Sequence, residues 1–284
     1  MSLGSVVAIG GGHGLSMVLE ALVDECDLLT AVVSVADDGG SSGRLRRDLD
    51  IVAPGDMRRC LAALTPNGLI RQALEHRFDH GVLAGHPAGN VFLASLLELE
   101  ADPVVAMDTL AQMVGARGRV LPATSEPIDL LATAARGTVK GQVAISESGA
   151  IEEIRFQPAD PPVPAAVVDS IMTADMIVLG PGSLYTSVLA PVVPGVASAI
   201  EGRSGRLVYV ANLAPEPGET DDYGLDDLID AVLRHGLTPD VVIAEGTAAS
   251  HRHEARIQRH ELSGALHSVH DPRRLGAVLS SLGS

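Results

Sequence analysis

The sequence predicts an α/β fold: a Rossmann-like, doubly wound, mainly parallel sheet with a small antiparallel β insert. Three observations predict it. Short runs that are apolar at every residue, as strands covered on both faces must be, alternate with helix-length segments. Each run stops at a glycine or polar cluster, where a chain leaving a sheet needs a turn. One stretch, Arg119 to Phe156, has a different texture of short alternating pieces separated by Ser, Glu and Gly.

The opening reads as strand Val6–Ile9, glycine loop Gly10–Gly14, helix Leu15–Leu22 and strand Leu28–Val35. Helical stretches follow at Met57–Leu64, Val91–Leu99 and Val104–Met113. Within the insert, Thr138–Ile145 and Ile151–Phe156 alternate in the manner of a hairpin, and the proline-rich run Pro158–Pro164 closes it. The chain then returns to buried strands at Met176–Leu179, Leu207–Val210 and Val241–Ile243, with a helix at Leu225–Leu233 before the last of them. A single domain over 1–284 with the β-rich insert at 119–157 is the simplest organisation. The C-terminal quarter, with His251, His253, His260, His267 and His270 spread among Arg and Glu, reads as a solvated surface rather than a metal site.

Composition narrows the function. A formal net charge of −16 opposes nucleic acid and anionic membranes as general partners. Aromatics are 2% of the residues, with no Trp, so platforms for stacking bases are scarce. The apolar runs are too short to span a bilayer, and the N-terminus lacks the pattern of a secretory leader, so a cytoplasmic location is expected. Cys26 and Cys60 are isolated thiols with no C-x-x-C spacing and read as small buried apolar residues.

The candidate chemistry sits in the loops. Gly10, Gly11, Gly12, His13 and Gly14 lie between a strand and a helix, where backbone amides and the helix dipole attract an anion and a Cβ would keep it away. The dinucleotide pattern G-x-G-x-x-G is broken, because Leu15 stands at its third glycine, and no Gly-Lys-Ser/Thr follows. A nicotinamide enzyme is therefore the weakest reading. Beyond the second strand, Asp37 or Asp38 is placed to accept ribose hydroxyls, or the pair to hold Mg²⁺ through oxygen ligands. Gly39–Gly43 reads as a binding loop offering amides and the hydroxyls of Ser41 and Ser42.

Between Ser41 and Cys60, five arginines (Arg44, Arg46, Arg47, Arg58, Arg59) face three aspartates, a local reversal of charge that fits a small phosphorylated ligand. Asp56 reads equally as the N-cap of Met57–Leu64 or as a ligand contact. Three further loops join the list: Gly85–Asn90, which ends on Asn90; Gly180–Ser187, with Gly182, Ser183, Tyr185, Thr186 and Ser187; and the segment beginning at Asn212. Ser183 is not a nucleophile elbow, since Tyr185 stands where G-x-S-x-G requires glycine.

Six motifs in collinear order, Gly10–Ser16, Ala36–Arg46, Pro54–Arg58, Arg117–Thr124, Gly180–Ser187 and Pro217–Asp221, resemble the gluconeogenesis factor family, the YvcK-like proteins of bacteria. That family lies within the larger CofD-like group, which resembles 2-phospho-L-lactate transferase. The resemblance implies a cytoplasmic Rossmann-like protein that binds a nucleotide sugar, UDP-N-acetylglucosamine in the best-known members, and supports cell-wall synthesis and cell shape during gluconeogenic growth. Members of this branch are described as regulators without a demonstrated reaction, which implies a partner in cell-wall synthesis. The transferase branch joins a phospholactyl group to a deazaflavin, using a nucleotide-activated donor and Mg²⁺. On the regulator reading Gly10–Gly14 and Ser183–Ser187 would hold the diphosphate, Asp37 and Asp38 the ribose or Mg²⁺, and Arg44, Arg46 or Arg58 the charged or sugar end; on the transferase reading the same loops would hold a nucleotide diphospho donor and the Asp pair would position Mg²⁺. A homodimer through an edge strand or the insert stays open. The sequence departs from the family pattern at His13, where threonine is usual, at Arg59, where asparagine is common, and at Asn212–Glu216, which replaces a Thr-Gln before the proline.

Overall fold

The structure, a computed structural model, describes residues 2–134, 137–264 and 268–283. Its strands in chain order are β1 Leu3–Gly10, β2 Cys26–Val33, β3 Arg119–Pro122, β4 Asp129–Ala134, β5 Gly137–Lys140, β6 Ile151–Gln157, β7 Met176–Leu179, β8 Arg206–Val210, β9 Val241–Glu245 and β10 Ile257–His260. Seven of them form one parallel sheet in the order β10-β9-β8-β7-β1-β2-β3, and the other three form an antiparallel sheet in the order β5-β4-β6.

The all-apolar runs occupy the centre of the large sheet, as expected for strands with no solvent face. Val6–Ile9 pairs with Met176–Leu179 on one side and with Leu29–Val32 on the other, and nearly all of these residues are buried. Helix Gly12–Leu22 buries Leu15, Val18, Leu19 and Leu22, and helices Pro54–Leu64 and Pro272–Ser281 pack beside it. Helices Ala165–Thr173 and Pro194–Glu201 form a second packed pair. Among the described residues no helix is long and apolar enough to cross a membrane.

The strand order places the site. From β1 the chain winds outward to β2 and β3, passes through the antiparallel sheet, and returns to β7 on the opposite side of β1 before winding out to β10. The direction of winding reverses between β1 and β7. In an open α/β sheet the crevice outside the carboxyl ends of such a strand pair is where a ligand fits.

Local expectations needed correction in several places. Arg119–Pro122 is not part of the insert but the parallel edge strand β3, so the antiparallel sheet begins at Asp129. Gln142–Ile145 is not strand: Gly141, at φ 98°, breaks the extended chain, and Gln142–Ser146 forms one short helix. Gly39–Gly43 is not an open loop, because the helix Gly40–Leu49 starts there and buries Ser41, Ser42 and Gly43. Helix Pro54–Leu64 begins two residues before Asp56, with Ala53 at the N-cap, so Asp56 is not the cap.

Candidate functional site

Two glycine loops meet at the reversal point. Gly10 ends β1, Gly11 precedes the helix, and Gly12 takes a left-handed conformation at φ 61° that only glycine adopts cheaply. A Cβ on Gly14 would collide with the Pro181 carbonyl, so this glycine serves the packing of one loop on the other. Ser187 closes over the same point, its Oγ 3.6 Å from where a Cβ of Gly12 would stand. Gly182 donates its amide to Asn212 Oδ1 at 3.0 Å, which ties the loop after β7 to the loop after β8. The fold thus brings Gly10, Gly11, Gly12, Gly14, Gly182, Ser187 and Asn212 together.

The helix N-terminus already has an anion. Asp56, 7% exposed, accepts a hydrogen bond from the Gly12 amide at Oδ2, 2.8 Å, and one from Arg59 Nη1 at Oδ1, 2.9 Å. A carboxylate in the first turn of one helix therefore caps the start of another. Arg59 and His13 both line a cavity of about 380 Å³, whose lining also includes Gly14, Gly182, Asn212 and His270. The Arg59 guanidinium, and burial after it, hold the His13 imidazole below its usual pKa. His13, Arg59 and Asn212 thus line one cavity.

Other expected residues are turned elsewhere. Tyr185 is fully buried, its phenol hydrogen-bonded to the Ile151 carbonyl at 3.0 Å and to the Tyr223 hydroxyl at 2.8 Å, so it fastens β6 rather than facing a ligand. The Thr186 hydroxyl donates to Glu219, which also accepts the Tyr185 amide at 3.0 Å. Glu219 is the buried keystone of this turn, and burial raises its pKa against the hydrogen bonds that lower it. Ser183, part-exposed, stands before the turn Leu184–Val188 and accepts the Ser187 and Val188 amides at its carbonyl.

The basic window disperses. Arg46 ion-pairs with Asp129 of β4 at 2.5 Å. Arg44 is exposed and reaches only the Ala84 carbonyl, at 3.5 Å. Arg58 is buried, its Nε 3.2 Å from Asn90 Oδ1, while Asn90 donates to Ser41 Oγ at 3.1 Å and Ser41 meets His86 Nδ1 at 2.8 Å. Arg58, Asn90 and Ser41 thus form an internal network, which Arg58 Nη1 extends to Glu75 at 3.7 Å. Of the five arginines only Arg59 lines the cavity.

The two aspartates after β2 diverge. Asp37 Oδ1 accepts the Gly39 amide at 2.9 Å and its carboxylate faces the Ser42 hydroxyl; burial first, then the nearby Asp56, raises its pKa. Asp38 Oδ1 instead accepts the Val143 amide at 3.0 Å, capping the insert helix from across the fold. The two carboxylates thus hold different backbone amides, and among the described residues no group of three His, Cys, Asp or Glu side chains is assembled for a metal.

Sequence reasoning missed Glu219 and His270 here, and it counted Arg59 within the basic window without singling it out as the arginine of that window that lines the cavity. Arg59 had a signal in its position three residues after Asp56, one helical turn on. His270 was counted with the solvated histidines, yet it is 7% exposed and lines the cavity. His267 lies outside the described residues.

Fold and site together define an α/β protein with a cavity at the switch point of a parallel sheet. The sequence model of the family described as 2-phospho-L-lactate transferase CofD matches residues 6–279, and the chain belongs to that family. It is 42% identical to a protein of Mycobacterium tuberculosis named "Putative gluconeogenesis factor", over 98% of this chain and 90% of that one. To the "Gluconeogenesis factor" of Halalkalibacterium halodurans it is 38% identical, over 96% of this chain and 87% of the other. The crystal structure of a UPF0052 family member from Bacillus halodurans superposes with a TM-score of 0.92 at 34% identity, covering 98% of this chain and 99% of that one.

Proposed function

We propose that the chain is a cytoplasmic nucleotide-sugar-binding regulator of the UDP-N-acetylglucosamine type, acting on cell-wall synthesis and cell shape during gluconeogenic growth through a protein partner. The observation that carries this reading is the meeting of Gly10–Gly14 with Gly180–Ser187 at the switch point, beside a cavity whose wall holds His13 and Arg59. Amides at a helix start and a guanidinium suit a diphosphate. The names of the relatives support the regulatory half.

A transferase of the CofD type is the second reading, favoured by the family description. It asks the same crevice to hold a nucleotide diphosphate and to admit a deazaflavin beside it. The cavity walls offer such a ring system no Phe, Tyr or Trp face among the described residues, which favours the regulator.

The thermal midpoint tests the choice. UDP-N-acetylglucosamine at millimolar concentration is expected to raise it by several degrees, and Arg59→Ala to remove most of that rise. No shift with this ligand, together with a strong shift from GDP and Mg²⁺, would give the site to the transferase reading.

A further inference from the structure

One helix keeps an apolar row open to solvent. On helix Ala88–Leu99 the buried residues Leu93, Ala94 and Leu97 face the core, while Phe92, Ser95, Leu96 and Leu99 fall at the i, i+3, i+4 and i+7 positions of the other side. Phe92 is 42% exposed and Leu99 85% exposed, with Leu96 half-buried between them. Large apolar side chains aligned in this way are a contact surface rather than a scatter of single residues.

The charges at the two ends of this helix show what fits the row. Arg44 and Arg77, both exposed, lie at its N-terminal end, where each donates only to the loop that leads into it, at the Ala84 carbonyl, 3.5 Å, and the Gly85 carbonyl, 2.5 Å. Glu98 and Glu100, both exposed, lie at its C-terminal end, and Asp50 lines a small hollow with Glu100. None of these five makes an ion pair among the described residues. Glu75 and Asp79, near the basic end in sequence, already have partners in Arg58 and His80. A helix dipole favours acids at the N-terminus and cations at the C-terminus, so within one chain this arrangement is the unfavourable one.

We infer that helix Ala88–Leu99 is the contact between two copies of this chain, packed antiparallel about a two-fold axis that passes beside Ser95. Its 12 residues separate the two ends by about 18 Å. Antiparallel packing sets each basic end against the acidic end of the other copy, and the two-fold makes both contacts alike. It also opposes the two helix dipoles and closes one apolar row on the other, with the small Ser95 at the centre where the backbones come nearest. The contact lies on neither an edge strand nor the antiparallel sheet, and it does not depend on what the crevice binds.

Sedimentation velocity of the full chain from about 5 to about 500 µM tests it. One helix pair with flanking charges is a small interface, so a weak dimer is expected, with a Kd on the order of tens of micromolar. Added salt is expected to weaken it several-fold. Phe92→Glu, at an exposed position, is expected to raise the Kd about tenfold or more by setting a carboxylate in the apolar row of each copy. Two charge-reversed chains test the direction of packing: Glu98→Arg with Glu100→Arg makes both ends net basic, and Arg44→Glu with Arg77→Glu makes both net acidic. Each alone is expected to stay monomeric, and an equimolar mixture to form the mixed dimer. Circular dichroism melts confirm that each variant is folded, and the unaltered chain with Phe92→Glu decides the matter where a charge-reversed chain is not. A monomer at every concentration, or association that Phe92→Glu leaves unchanged, overturns the inference. A mixture that associates no more than either charge-reversed chain alone overturns the antiparallel packing.

Discussion

The Asp56 carboxylate stands 2.8 Å from the Gly12 amide, at the N-terminus where a phosphate would be expected to dock, and its second oxygen holds Arg59. The anion site thus carries an internal occupant that also restrains the arginine at the cavity wall. Replacing Asp56 by Asn keeps an acceptor for Gly12 but removes the charge that competes with phosphate. Asp56→Asn is expected to tighten binding of a nucleoside diphosphate about three- to tenfold and to lower the thermal midpoint without ligand by a few degrees, the scale of one helix-terminus charge. Titration and melting of the same sample check both halves. Weaker binding would mean that the carboxylate itself contacts the ligand.

Asp38 ties the antiparallel sheet to the main one. Its Oδ1 accepts the Val143 amide, and a Cβ on Gly141 would run into its other oxygen. The same sheet is fastened by Arg46 on Asp129 and by the Tyr185 and Tyr223 hydroxyls on the Ile151 carbonyl. With those other ties intact, Asp38→Ala is expected to cost about 1 kcal/mol, the value of a lost helix cap. The effect should be local: hydrogen exchange over 141–146 should accelerate while β1 and β7 keep their protection. Equal acceleration in β1 would show that Asp38 supports the whole fold instead.

Most strands, and the glycine loops that meet between β1 and β7, could be read from the chain because they depend on local pattern. Val6–Ile9 has no polar residue to turn outward, and glycines cluster where the backbone must turn or approach another loop. What failed to show were contacts made at long range. Thr186 and Tyr185 look like ligand groups until Glu219, more than thirty residues on, is found beneath them. Arg58 and Arg59 are neighbours in sequence but point about 100° apart on a helix, so one enters a buried network and the other the cavity. Local charge does not set that phase. Ile257–His260 escaped notice as a strand because an edge of the sheet needs only one apolar residue in four. His270 looked like its solvated neighbours, since only the loops packed over it bury it.

Burial of His270 gives stability a pH dependence of defined sign. Its pKa is about 4 in the folded protein, where desolvation outweighs the Ala211 carbonyl and the Glu245 carboxylate that face the ring. In the unfolded chain it is about 6.5. The folded state therefore takes up the proton less readily, and the stability owed to the neutral ring is present above pH 6.5 and lost as pH falls towards 4. Between pH 7 and 5 the loss comes to about 2 kcal/mol. Asp37 and Glu219 act in the opposite sense, because their raised pKa values favour folding at lower pH. Both carboxyls are common to the unaltered chain and His270→Phe, so the difference between the two isolates the imidazole. Urea unfolding of both proteins at pH 7 and pH 5 is expected to show the stability difference shifting by about 2 kcal/mol in favour of the variant at the lower pH. A difference that stays constant would mean that the ring titrates as it does in the unfolded chain.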